Sequence, residues 1–130
     1  MLTTYLLVAL GSAIGGAARY WVNGAVANRT GETYPWGTFV VNITGALLIG
    51  LASAILALVD SPGSRAQALF IIGLCGSYTT VSSFSLQTLA LARDGEFGKA
   101  AGNILLSLAG CTVAVWFGLQ AGFLLSGTSA

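Results

Sequence analysis

Histidine is absent from this chain of 130 residues, and charge is scarce: five basic and four acidic side chains make up 7% of the sequence, with a formal net charge of +1. Soluble domains carry about 25% charged residues. So thin a supply cannot clothe a water-facing surface, which excludes a soluble enzyme. The near-zero net charge leaves no basic footprint for nucleic acid. Without histidine, and with only two cysteines, Cys75 and Cys111, both inside apolar runs, zinc sites, imidazole acid–base chemistry and a disulfide framework are poor readings. What the chain has instead is apolar bulk, 55% of its residues, and 18 glycines. In a membrane chain glycine marks close helix packing or an interrupted helix. Met1-Leu2-Thr3-Thr4-Tyr5 lacks a basic leader and no small-residue cleavage site follows, so the first apolar run reads as a retained helix.

The charges punctuate the chain. Apolar sequence runs from Met1 to about Ala27, interrupted by Arg19, and charge-free stretches follow at Thr33–Val59, Ala66–Ala92 and Ala100–Ala130. Each is longer than the roughly 20 residues that cross a hydrocarbon core. Between them lie turn-prone connectors: Asn28–Glu32, Asp60–Arg65 and Arg93–Glu96. The reading is an all-α membrane protein with a single transmembrane domain over residues 1–130 and spans near 2–27, 34–59, 66–92 and 98–125. Arg29, Arg93 and Lys99 fall on one side, and Arg65 and both termini on the other. That bias of about two residues favours the first and third loops inside. It is small enough to allow insertion both ways round, and with it an antiparallel homodimer.

The third span holds the most informative stretch, Gly73 to Ser85. Every residue from Ser77 to Ser83 except Val81 carries a hydroxyl, directly behind Gly73 and Gly76, and Thr79 lies at mid-span. Serine and threonine compete for backbone hydrogen bonds, and glycine adds freedom, so the sequence predicts a helix broken at the membrane centre. Backbone groups released there must face protein or a watery path, where an ion can use them. The plainer alternative is that these hydroxyls bond back to their own helix.

Other uncharged polar groups accompany it. Thr38, Asn42 and Gly45 share a face of the second span, and Asn103, Ser107 and Cys111 form a stripe on the fourth. Gly98, Gly102, Gly110, Ala114, Gly118 and Gly122 make a small-residue ridge beside that stripe. Asn42 reads either as an interhelical tie or as an NH₂ donor offered to an anion. Phe84 borders the hydroxyl cluster, and its ring edge is electropositive. The inner spans hold no carboxylate or lysine near their centres, which a proton-coupled antiporter would need. Neutral donors suit an anion that sheds part of its water without being trapped. Arg19, the one charge within a span, is either an interfacial anchor or the lining of an aqueous vestibule that recruits anions.

Taken in order, Gly15-Gly16-Ala17-Ala18-Arg19-Tyr20, Pro35-Trp36-Gly37-Thr38-Phe39-Val40-Val41-Asn42, Gly73 through Ser85, and Asn103 with Ser107 resemble the Fluc family of fluoride channels, also called CrcB, over almost the whole chain. The resemblance implies an antiparallel dual-topology homodimer in the bacterial inner membrane, with two pores exporting fluoride passively. It also implies a structural Na⁺ on the two-fold axis, held by the backbone carbonyls of Gly76 and Thr79. Asn42 would donate to fluoride, with Phe84 presenting its ring edge. Thr38, Ser82, Ser83, Asn103 and Ser107 would continue the path. Two positions depart from the family pattern: Val81 replaces the first of two pore phenylalanines, and Asn103 replaces a ring donor such as tyrosine. Fold and dimer are expected to survive both. Two rivals remain at this level. A small dual-topology multidrug exporter would need a membrane-embedded carboxylate. A structural subunit of a larger complex would leave the hydroxyl cluster and Asn42 unexplained.

Overall fold

A computed structural model of the chain describes residues 1–31, 33–59 and 63–127. Glu32 and Asp60-Ser61-Pro62, which the sequence places in connectors, lie outside the described residues. The described chain is all helical, with four helical stretches long and apolar enough to cross a membrane. Helix α1 is Leu2–Thr30 and α2 is Trp36–Val59. The third stretch is composite: α3 (Arg65–Gln67), a π-helical run (Ala68–Cys75), α4 (Gly76–Tyr78) and α5 (Val81–Arg93). Helix α6 is Phe97–Leu125.

The ends follow local chemistry. Helix α1 runs three residues past the Ala27 limit expected from the apolar pattern, because Thr30 Oγ1 donates to the Val26 carbonyl and the Gly31 N–H to the Ala27 carbonyl. Gly31 then turns out of the helix at φ 76°, a region glycine enters without penalty. Pro35 accepts from the Phe39 N–H at 3.1 Å, so α2 begins at Trp36; the missing proline N–H costs nothing at a helix start. Ser64 Oγ accepts from the Gln67 N–H at 3.1 Å and caps α3.

Packing rests on glycine. A Cβ at Gly11 would overlap the Leu69 carbonyl and one at Gly15 the Leu74 carbonyl, so α1 lies directly against the π-helical run. Between α2 and α6 the contact is reciprocal: a Cβ at Gly50 would strike the Val115 carbonyl, and one at Gly118 the Leu47 carbonyl. The ridge expected on α6 needs one correction. Gly110 and Gly122 also close on α2, meeting Ile43 and Ala54, but Gly98 has open space and Gly102 reaches only Tyr34 Oη, at 4.0 Å. An i, i+4 stripe drifts by about 40° per step on a helix of 3.6 residues per turn. Over the length of α6 it winds off the face that meets α2.

Candidate functional site

Helical geometry stops after Tyr78 and resumes at Val81. Thr79 (φ −75°, ψ 157°) and Thr80 (φ −150°, ψ 118°) are extended. Two interactions hold Thr80 in that form. Asn42 grips its backbone at both ends: Nδ2 donates to the Thr80 carbonyl at 2.9 Å, and Oδ1 accepts from the Thr80 N–H at 2.7 Å. Thr80 Oγ1 accepts from the Ser83 N–H at 3.2 Å as the N-cap of α5, donates to Ser83 Oγ at 3.1 Å, and lies 3.2 Å from Ser82 Oγ. Asn42 thus supplies the extended residue with the pairing that a neighbouring strand would give.

These diversions have a backbone consequence. In a continuous α-helix the Thr80 N–H would bond the Gly76 carbonyl, and the Ser83 N–H the Thr79 carbonyl. Both donors go instead to side chains, Asn42 and Thr80 respectively. The carbonyls of Gly76 and Thr79 are therefore released from the helical partners they would otherwise have. At the same point α5 begins, and the N–H groups of Val81 and Ser82 lie in its unpaired first turn, where the helix dipole favours negative charge.

Two cavities flank the extended pair. The first, of about 430 Å³, is bordered by Asn42, Thr79, Thr80, Val81, Phe84, Ser107 and Cys111 among others, its walls being almost entirely apolar. The second, of about 270 Å³, is bordered by Arg19, Asn23, Thr38, Thr80 and Ser83 among others. Thr80 borders both. Among the described residues no carboxylate pairs with Arg19, so its charge is available to the second cavity. Asn42 spends one N–H on Thr80; an asparagine amide has two. The interhelical tie is thus present, and it leaves the second N–H outside the Thr80 clamp. Val81 is 77% exposed within the subunit.

Not every residue singled out from sequence reaches these cavities. Asn103 is 2% exposed and donates through Nδ2 to Thr88 Oγ1 at 2.8 Å. Ser107, one turn on, borders the larger cavity, and its Oγ is buried without a hydrogen-bond partner. The stripe Asn103–Ser107–Cys111 therefore divides, with only its last two members at the cavity. Ser82 touches the site through Thr80, and Gly76 borders neither of the two cavities. Three participants were not given a role of their own, although Tyr78 and Thr80 lie within the Ser77–Ser83 hydroxyl cluster. Thr80 is the hub, legible in hindsight as a threonine N-cap three residues before Ser83. Tyr78, 8% exposed, sets its hydroxyl 2.9 Å from Thr44 Oγ1 and ties α4 to α2. Thr88 becomes visible only once Asn103 is placed.

A third cavity, of about 530 Å³, lies at the ends of the helices among Asn23, Tyr34, Gln87, Asp94 and Lys99. It shares Asn23 with the Arg19 cavity. Burial pushes the Tyr34 phenol above its ordinary range, so it stays a neutral hydroxyl.

Residues 6–119 match the family described as CrcB-like protein, Camphor Resistance (CrcB). The chain is 50% identical over 116 residues to the "Fluoride-specific ion channel FluC" of Methylocella silvestris, covering 88% of each chain. It is 49% identical over 119 residues to the protein of the same name from Rhodospirillum rubrum, covering 88% of this chain and 91% of that one. Identity to "Fluoride-specific ion channel FluC 2" of Bradyrhizobium diazoefficiens is 49% over 131 residues, covering 97% and 90%. With four apolar helices of membrane-spanning length and matches of this extent, the chain is a multi-pass membrane protein that belongs to the CrcB-like family.

Proposed function

We propose that this protein is a passive fluoride-selective channel that exports fluoride across the bacterial inner membrane. The observation that carries the reading is the Asn42-clamped pair Thr79–Thr80. It sets neutral hydroxyls, a spare amide N–H and the dipole-positive start of α5 at the middle of a span that contains no carboxylate, histidine, lysine or arginine between Arg65 and Arg93. Fluoride needs strong donors to replace lost water. A buried carboxylate among them would couple its passage to protons. Arg19 collects anions in the smaller cavity, Thr38, Thr80 and Ser83 receive them, and Asn42, Phe84 and Ser107 face the larger one.

The subunit works as half of an antiparallel dual-topology homodimer with two pores. The small loop-charge bias supports insertion both ways round. The apolar wall beside Val81 supports closure by a second copy, since an open cavity there would meet lipid. In this reading the third helix is a discontinuous helix of the kind that places both dipole ends at mid-membrane. The released carbonyls of Gly76 and Thr79 would hold Na⁺ at the two-fold axis, where the ion supplies a fixed positive charge and a tie between subunits.

The test is fluoride efflux from liposomes carrying the purified protein and loaded with potassium fluoride, followed with a fluoride electrode. Efflux is expected only after a potassium ionophore relieves the charge imbalance, and chloride-loaded vesicles are expected to stay full. Efflux without the ionophore would mean electroneutral exchange and defeat the reading. In the same assay Val81→Phe is expected to raise the rate by about two- to tenfold, from the typical strength of an aromatic edge contact. Equal rates would show that a ring there does not matter to throughput.

A further inference from the structure

Helix α5 carries Phe84 on the wall of the larger cavity, yet it has no buried residue of its own. Packing within the subunit therefore fixes its rotation about its axis only weakly. One polar connection reaches it from α6. Asn103 Nδ2 donates to Thr88 Oγ1 at 2.8 Å, and Thr88 Oγ1 donates to the Phe84 carbonyl at 2.7 Å. A hydroxyl has one proton and two lone pairs. With its proton on the Phe84 carbonyl, Thr88 is left as an acceptor for the Asn103 amide, and the chain of bonds runs in one direction. Among the described residues this is the only side-chain hydrogen bond between α5 and α6. Its anchor is buried: Asn103 is 2% exposed. Asn103 also borders neither the Arg19 cavity nor the Phe84 cavity, whereas Ser107 does border the latter.

We propose that Asn103 is a positioning residue that sets the place of Phe84 through Thr88, and that it does not itself donate to the anion. This rests on the channel reading above. The two side chains act as one unit, because Asn103 is buried and its amide has no other hydrogen-bond partner than Thr88 among the described residues. Removing the Thr88 hydroxyl leaves the Asn103 N–H unsatisfied. Removing the Asn103 amide frees α5 to turn, and the phenylalanine ring swings with it. Ser107 is left as the polar group of α6 at the cavity.

The test uses the full chain in liposomes with Asn103→Ala, Thr88→Val, the double variant and Thr88→Ser. It also uses the same backgrounds carrying a single 4-fluorophenylalanine at position 84, read by ¹⁹F resonance. Asn103→Ala and Thr88→Val are each expected to lower fluoride efflux by about fivefold, the usual effect of one broken hydrogen bond. The double variant is expected to do no worse than either. Thr88→Ser, which keeps the hydroxyl, is expected to restore efflux, and Asn103→Ala and Thr88→Val are expected to move the ¹⁹F line alike. Loss of efflux in Asn103→Ala with full efflux in Thr88→Val would overturn the proposal and make Asn103 a direct donor. A ¹⁹F line that stays put in both variants would overturn it as well. Absence of fluoride efflux from the unaltered chain would remove the channel reading instead, and the ¹⁹F comparison would still decide whether the relay places the ring.

Discussion

Asn42→Ala is expected to cut fluoride efflux by about thirtyfold or more while leaving a helical protein. The substitution removes both bonds that hold Thr80, at 2.9 and 2.7 Å. At about 1 kcal/mol net for each bond, about 2 kcal/mol is lost, which converts to roughly thirtyfold. The deficit grows if the Thr80 N–H and carbonyl find no other partner at mid-membrane. Asn42→Asp separates the two halves of the clamp. Its carboxylate still accepts from the Thr80 N–H but faces the Thr80 carbonyl with no proton to offer, and it brings a negative charge to a path meant for anions. Efflux is expected to fall further than in the alanine variant. Both variants are expected to elute at the dimer position in detergent, because Asn42 bonds within its own subunit. Wild-type efflux from well-folded Asn42→Ala would take this residue out of the path.

Gly118→Ala is expected to have a large effect on folding. The added carbon would overlap the Leu47 carbonyl and lie 2.9 Å from the Leu51 nitrogen. These are backbone atoms of α2, which cannot swing aside as the end of a side chain can. The α2–α6 pair must separate, and overpacking of this kind costs typically 1–3 kcal/mol and sometimes more. Gly50→Ala makes the same collision from the other side, against the Val115 carbonyl, with the Leu119 nitrogen 2.9 Å away. Gly98→Ala is the control, since nothing stands within 4 Å of its site in the subunit. Thermal unfolding in detergent is expected to show Gly118→Ala and Gly50→Ala well below the parent chain and Gly98→Ala level with it. A Gly118→Ala protein as stable as its parent would mean that the two helices are not in backbone contact.

Much of this was legible in the residues. The charge-free runs mark the helices because lipid tolerates few charges, and Gly31, Pro35 and Ser64 mark ends because each has a specific backbone role. The hydroxyl cluster behind two glycines points to Thr79 and Thr80, whose extended geometry is local chemistry. What the sequence withholds is long-range pairing. Nothing near Asn42 says that its amide closes on Thr80, 38 residues away. Nothing near Asn103 says that it meets Thr88 rather than a cavity. The stripes on α6 read as straight lines in sequence, but an i, i+4 line winds around a helix, so Asn103 parts from Ser107 and Gly98 from Gly118. Residue type at a given spacing names the chemistry available; the rotation of each helix decides which partner receives it.

The most direct measurement is the reversal potential of the purified protein in a planar bilayer under a tenfold fluoride gradient, with and without a superimposed pH gradient. Passive conduction through uncharged donors requires the potential to sit near the fluoride value, about 59 mV for a single charge, and to ignore the pH gradient. A potential that follows the proton gradient, or one set by chloride when chloride is present, would contradict conduction of fluoride past the Asn42–Thr80 clamp.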